Sequence, residues 1–194
     1  IIIVPHEHKY SKTNYIFNKV FNSHPVQLGV GKEYWWGVNT KYSSSLQFGK
    51  SFKNESIVVD LDESKDLTWN TFGFSPYKWM HTDISGIYST SALNFRIKSA
   101  QIPEIQVVLF SYSGKKRKLQ KTLTQSNFIY KENRIYEAYL PLKSLIGYRE
   151  FRWDAVKEIR VKILKSSQLE IGDFQLIEFR GNPEKPTQWK GIKI

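Results

Sequence analysis

The stretch Leu93-Asn94-Phe95-Arg96-Ile97-Lys98 decides the fold. Leu93, Phe95 and Ile97 fall on one side of an extended chain and Asn94, Arg96 and Lys98 on the other. That is the period-2 pattern of a strand with one face on a core and one in water. The next run, 104–112 (EIQVVLFSY), is more continuously apolar. Ser113-Gly114-Lys115-Lys116 then turns the chain into 117–124, which alternates again, so the two runs read as a hairpin. Downstream, 134–142 (RIYEAYLPL), 158–164 (EIRVKIL) and 169–179 (LEIGDFQLIEF) carry the same signature, with Pro141 at a strand end where a missing N–H does least harm. Upstream, shorter runs lie at 34–39, 46–48, 56–61 and 67–74. About ten strands separated by Gly, Asn, Ser and Lys clusters, with no stretch of helical spacing, predict an all-β chain. That many strands in 194 residues suit an antiparallel β-sandwich of the jelly-roll kind.

The length fits one domain over 1–180, and GNPEKP at 181–186 breaks the pattern, so 181–194 reads as a C-terminal tail or linker. With 12 Phe, 11 Tyr and 6 Trp the chain can fill a core without staples. The absence of cysteine excludes disulfides, a thiol nucleophile and thiolate metal sites. A formal charge of +11 implies affinity for something anionic, whether nucleic acid, acidic polysaccharide or a membrane surface, the plain alternative being lysines spread over solvated strand faces. No apolar run approaches the roughly 18 residues of a membrane span. Ile1-Ile2-Ile3-Val4 is too short for an intact signal sequence, and a chain opening on Ile1 reads as mature or trimmed.

The second half carries an ordered set of motifs over roughly 83–178. It begins with the turn Asp83-Ile84-Ser85 and the strand ALNFRIK, and continues through IQVVLFS and a basic turn. It closes with YEAYLPL, the turn WDAVKEI and the strand LEIGDFQLIE. In this order the chain resembles bacterial carbohydrate-binding modules of the galactose-binding-like jelly-roll type. The nearest likeness is to the domain attached to some family-3 exoglucanases, with family-11 and family-30 glucan-binding modules as looser relatives. The resemblance implies a jelly-roll sandwich in an exported bacterial protein, secreted, periplasmic or at the cell surface. It also implies polysaccharide as ligand, a covalently linked catalytic domain, no required cofactor and, in some relatives, a structural calcium ion. Asp173 with Glu7 would supply ligands for such an ion, the plain alternative being that Asp173 caps a bulge beside Gly172.

Sugar recognition needs flat apolar faces for pyranose C–H surfaces and polar groups around them for hydroxyls. Trp35 and Trp36 are adjacent on an expected strand, so one points inward and the other is a candidate platform. Tyr77 and Trp79 lie in a loop after Ser75-Pro76, a second candidate cluster. Arg96, Lys98 and Arg117 are candidate partners for carboxylates or sulfates on an acidic glycan. Trp69 and Trp153 read as core and turn residues. Nucleic acid is disfavoured, because no RNP-type, KH-like or zinc-finger pattern is present. Catalysis has thin support: no pair of carboxylates is singled out, and His6-x-His8 lacks further metal ligands. A lyase or hydrolase on the same sandwich, and a purely structural domain, are the two rival readings.

Overall fold

The computed structural model describes residues 15–16, 26–39, 45–61, 70–165 and 168–178. Glu7, Trp69, His6, His8 and the tail at 181–194 lie outside the described residues. In chain order the strands are β1 (Tyr15–Ile16), β2 (Val26–Gln27), β3 (Trp35–Trp36), β4 (Leu46–Phe48), β5 (Ser56–Asp60), β6 (Thr71–Phe74), β7 (Thr82–Asp83) and β8 (Ser91–Ser99). They continue with β9 (Glu104–Ser113), β10 (Lys115–Leu123), β11 (Phe128–Tyr130), β12 (Ile135–Pro141), β13 (Ile146–Gly147), β14 (Val156–Lys165) and β15 (Gln168–Glu178). Five of these fifteen span only two residues, which leaves ten longer strands among the described residues. Of the two-residue strands β3 falls within the run at 34–39, while β1, β2, β7 and β13 escape sequence reading because a single bridge leaves no periodicity.

The strands form two sheets. The first runs β1-β7-β14-β9-β10-β13, with β6 beside β14 and β3 beside β6; the second runs β11-β12-β8-β15-β5-β4, with β2 beside β15. All pairings among the described residues are antiparallel except β1 with β7. The chain is therefore an antiparallel β-sandwich. No described helix is long and apolar enough to cross a membrane.

The core lies between the two inner faces. Leu93, Phe95 and Ile97 of β8 meet Ile105, Val107 and Leu109 of β9 and Ile159, Val161 and Ile163 of β14, all of them buried. At its centre Phe174 packs 5.0 Å from Phe95 and 4.8 Å from Phe74, ring centroid to centroid. Ile171 and Phe174 are both buried although three residues apart, which a regular strand cannot arrange. The β15 register with β8 shifts between Gly172 and Gln175, and Asp173 takes φ +54° there. One inserted residue in this bulge brings Phe174 back to the inner face.

The turns that bound the motifs also meet. The Asp83 carboxylate accepts the Ser85 N–H at 2.9 Å and its hydroxyl at 2.6 Å, closing an Asx turn. The Ile84 N–H donates to the Trp153 carbonyl at 2.8 Å, and Tyr88 stacks on the Trp153 ring at 4.4 Å and 10°. Trp153 thus packs as part of the scaffold. In the β9–β10 hairpin Ser113 sits opposite Lys115, so Gly114 alone forms the tip, at φ +72°. The turn is tighter than the sequence suggests, and Lys115 and Lys116 belong to the strand. β13 pairs with β10 only at Leu119 and Gln120.

Candidate functional site

Because Ile159, Val161 and Ile163 point into the core, Glu158, Arg160 and Lys162 of β14 point out from the first sheet. The same parity puts Gln106, Val108, Phe110 and Tyr112 of β9 on that outer face. Register aligns Trp36, Gly73, Arg160, Val108, Gln120 and Ile146 in one row across six strands. At the usual strand spacing the row spans roughly 24 Å.

Glu158 organises one end of this face. Only 5% exposed, its carboxylate accepts the Trp36 indole N–H at 2.8 Å and the Tyr112 hydroxyl at 3.3 Å. It also takes the Arg160 fork, Nε at 2.5 Å and Nη2 at 3.0 Å. The indole lies flat over Gly73: a Cβ built there would sit 2.6 Å from the Trp36 Nε1, so only glycine lets the ring settle. Arg160 then covers two rings, with its guanidinium carbon 5.0 Å from the Trp36 centroid and 4.2 Å from that of Phe110.

Lysines extend the pattern. Lys116 Nζ stands 4.2 Å from the Phe110 centroid and 5.6 Å from that of Tyr112, and Lys157 Nζ stands 5.7 Å from Tyr112. Beyond them a cleft of about 630 Å³ is lined by Gln106, Lys118, Gln120, Lys121, Thr122, Ile146, Gly147 and Tyr148. Ile146 is 76% and Tyr148 60% exposed. The face therefore joins partly covered rings, amide and hydroxyl groups, and Lys116, Lys118, Lys157, Arg160 and Lys162 against the acids Glu104 and Glu158.

The candidates named from sequence are scattered over the molecule. Trp35 is not a platform: it is 8% exposed, its indole N–H bonds to the Gly29 carbonyl at 2.7 Å, and its ring lies 4.5 Å from Phe74. Trp36 is the outward partner on the face just described. Tyr77 and Trp79 are half-buried in the loop between β6 and β7, where the Ser75 hydroxyl accepts the Trp79 N–H at 2.6 Å and Lys78 and Trp79 take φ of +45° and +58°. His81 at the end of this loop is held below the ordinary histidine range, first by burial and then by Lys157, with Asp154 opposing.

Arg96 and Lys98 lie on the outer face of the second sheet, away from Trp36. Arg117 is tied to a loop instead, bonding the Glu150 carbonyl at 2.7 Å and its carboxylate at 2.9 Å. The Asp173 carboxylate accepts both the backbone and side-chain N–H of Asn54 at 3.1 Å and faces Arg96 at 3.6 Å. A cation there would confront that guanidinium, and no group of three His, Cys, Asp or Glu suited to a metal occurs among the described residues. The described donors at Asp173 do not by themselves fit calcium, and its partner Glu7 lies outside the described residues.

No family model matches the sequence, and no curated protein sequence matches it. Among solved structures the chain is similar to a family 30 carbohydrate-binding module, with TM-score 0.50, 15% identity, and coverage of 82% of this chain and 96% of that one. A family 30 module of a cellulosomal cellulase from Clostridium thermocellum gives TM-score 0.53, 15% identity, and coverage of 84% and 97%. The fold is that of these carbohydrate-binding modules. An agarase also matches, with TM-score 0.50 and 11% identity, 81% of this chain lying on 26% of the larger one.

Glu158, Arg160, Phe110, Tyr112 and Tyr148 stand on this face but are not among the candidates read from the sequence. A signal for Phe110 existed in EIQVVLFSY, where apolar residues occupy both parities, so one set must lie on an outer face. In EIRVKIL the outward set Glu158, Arg160 and Lys162 was visible as polar, but nothing local says that indole and phenol rings will stand over it.

Proposed function

We propose that this chain is a non-catalytic polysaccharide-binding module that holds an anionic glycan along the outer face of the first sheet. The observation that carries this reading is the row from Trp36 over Arg160 to the Tyr148 cleft. It is long enough for several sugar rings, bears ring faces for C–H stacking, and is edged by lysines that form no ion pair among the described residues. The fold shared with carbohydrate-binding modules supports the same reading. Glu158, a buried acid on this face, is engaged by Trp36, Tyr112 and Arg160, so it serves as an anchor and not as a general acid. The module would act as an accessory to a covalently linked carbohydrate-active domain in an exported bacterial protein.

The test is native affinity electrophoresis of the chain through gels containing neutral, uronic or sulfated polysaccharide. Retardation by an acidic polymer that disappears in Trp36→Ala supports the proposal. Equal mobility of wild type and Trp36→Ala in every gel, or release of reducing ends or unsaturated sugars by the purified chain, refutes it.

A further inference from the structure

Phe110 stands at the middle of the proposed binding face yet is only 8% exposed, because two cations lie over its ring at the same distance. The two are not equivalent. Arg160 is fixed through its fork to Glu158, whereas Lys116 makes no hydrogen bond or ion pair among the described residues and sits on a flexible four-carbon stem. We infer that Lys116 is a selectivity residue: it caps Phe110, and a glycan gains the ring only when its own anionic group draws the ammonium aside. This rests on the polysaccharide reading above and names the residue that would enforce the preference for charge.

The physical argument is an exchange of partners. An ammonium over an aromatic face is attracted by the ring quadrupole, and a neutral sugar that displaces it offers nothing to replace that attraction. A sulfate or carboxylate does offer a replacement, since a charge-assisted hydrogen bond to the lysine is stronger than a neutral one. The ligand then gains both the salt contact and the uncovered ring. Lys118, directly opposite Phe110 in the β9–β10 register, stands ready to meet the same anionic group from the next strand position. Neutral glycans would find the half-buried Trp36 and Tyr112 and the exposed Tyr148.

The experiment compares wild type, Lys116→Ala and Lys116→Met in native gels containing hydroxyethylcellulose as the neutral probe or dextran sulfate as the anionic one. Alanine removes the charge and uncovers the part of the ring that Lys116 covers, Arg160 staying in place, while methionine removes the charge and still covers that part. Lys116→Ala is expected to bind hydroxyethylcellulose roughly two- to fivefold more tightly than wild type. Both variants should lose about two- to fivefold on dextran sulfate, and Lys116→Met should match wild type on hydroxyethylcellulose. Unchanged or weaker binding of Lys116→Ala to hydroxyethylcellulose, or a gain by Lys116→Met equal to that of alanine, overturns the cap. Retardation lost in Trp36→Ala shows that the underlying reading stands even if the cap fails. Wild type and Trp36→Ala migrating alike in both gels sinks that reading and the cap with it.

Discussion

Replacing Gly73 by alanine should dislodge Trp36 while leaving the rest of the sandwich in place. The new Cβ would lie 2.6, 2.7 and 2.8 Å from indole atoms Nε1, Cε2 and Cζ2, so the ring must leave the sheet. Leaving breaks the bond to Glu158, worth about 1.5–3 kcal/mol for a charged acceptor, and the contact with Arg160, worth about 0.5–1 kcal/mol. The backbone works the other way: Gly73 shows no positive φ, and alanine in a strand is better than glycine by roughly 0.5–1 kcal/mol. The expected net loss is about 1–3 kcal/mol, which for a chain of this size lowers Tm by roughly 3–10 °C. The assay is thermal unfolding by circular dichroism in a double-mutant cycle. Once Trp36 is already alanine, Gly73→Ala should be neutral or slightly stabilising. Equal destabilisation in both backgrounds would refute the claim that the glycine exists to seat the indole.

Further outcomes follow from the same contacts. Retardation by dextran sulfate should fall steeply as salt rises from about 0.05 to 0.5 M, because screening shortens the reach of surface lysines. Phe174→Ala should cost about 3–5 kcal/mol in urea denaturation, since its ring touches Phe74, Phe95 and Trp35. Glu170 offers a pH test: burial pushes its carboxyl up, but hydrogen bonds from Ser51 and Ser56 and the charge of Lys98 outweigh it and hold it below the ordinary range. Its contribution is therefore complete above the usual glutamate value near 4.3 and disappears as pH falls through the lower folded value. Melting curves of wild type should drop across that acid window, and those of Glu170→Gln should drop less.

Strand positions were legible in the sequence where one face is polar and the other apolar, as in 93–98 and 158–164. The bulge beside Gly172 stood in the sequence only as the alternative to a calcium ligand at Asp173, and it is decided once Ile171 and Phe174 are both known to be inside. Choosing between Trp35 and Trp36 was beyond local pattern, since it depends on a bridge to Phe74 and Gly73 that lies almost forty residues on. The binding face was least legible. Trp36, Phe110 and Glu158 come together only through the register of β3, β6, β14 and β9, and cross-strand register is a property of the assembled sheet. Arg96 and Lys98 drew attention as regular outward cations, yet they belong to the opposite sheet.

The short reach of β13 leaves the side of β10 away from β9 mostly unpaired among the described residues, which has a consequence for molecules gathered densely on one polymer. An open border of a sheet invites a second copy to add its own strand, and such additions can propagate into fibrils. Here the border carries Lys115, Lys116, Lys118 and Lys121. Two copies approaching edge to edge would bring like charges together before any backbone bond could form. Lysines that attract an acidic polymer would thus also keep neighbouring modules apart on it.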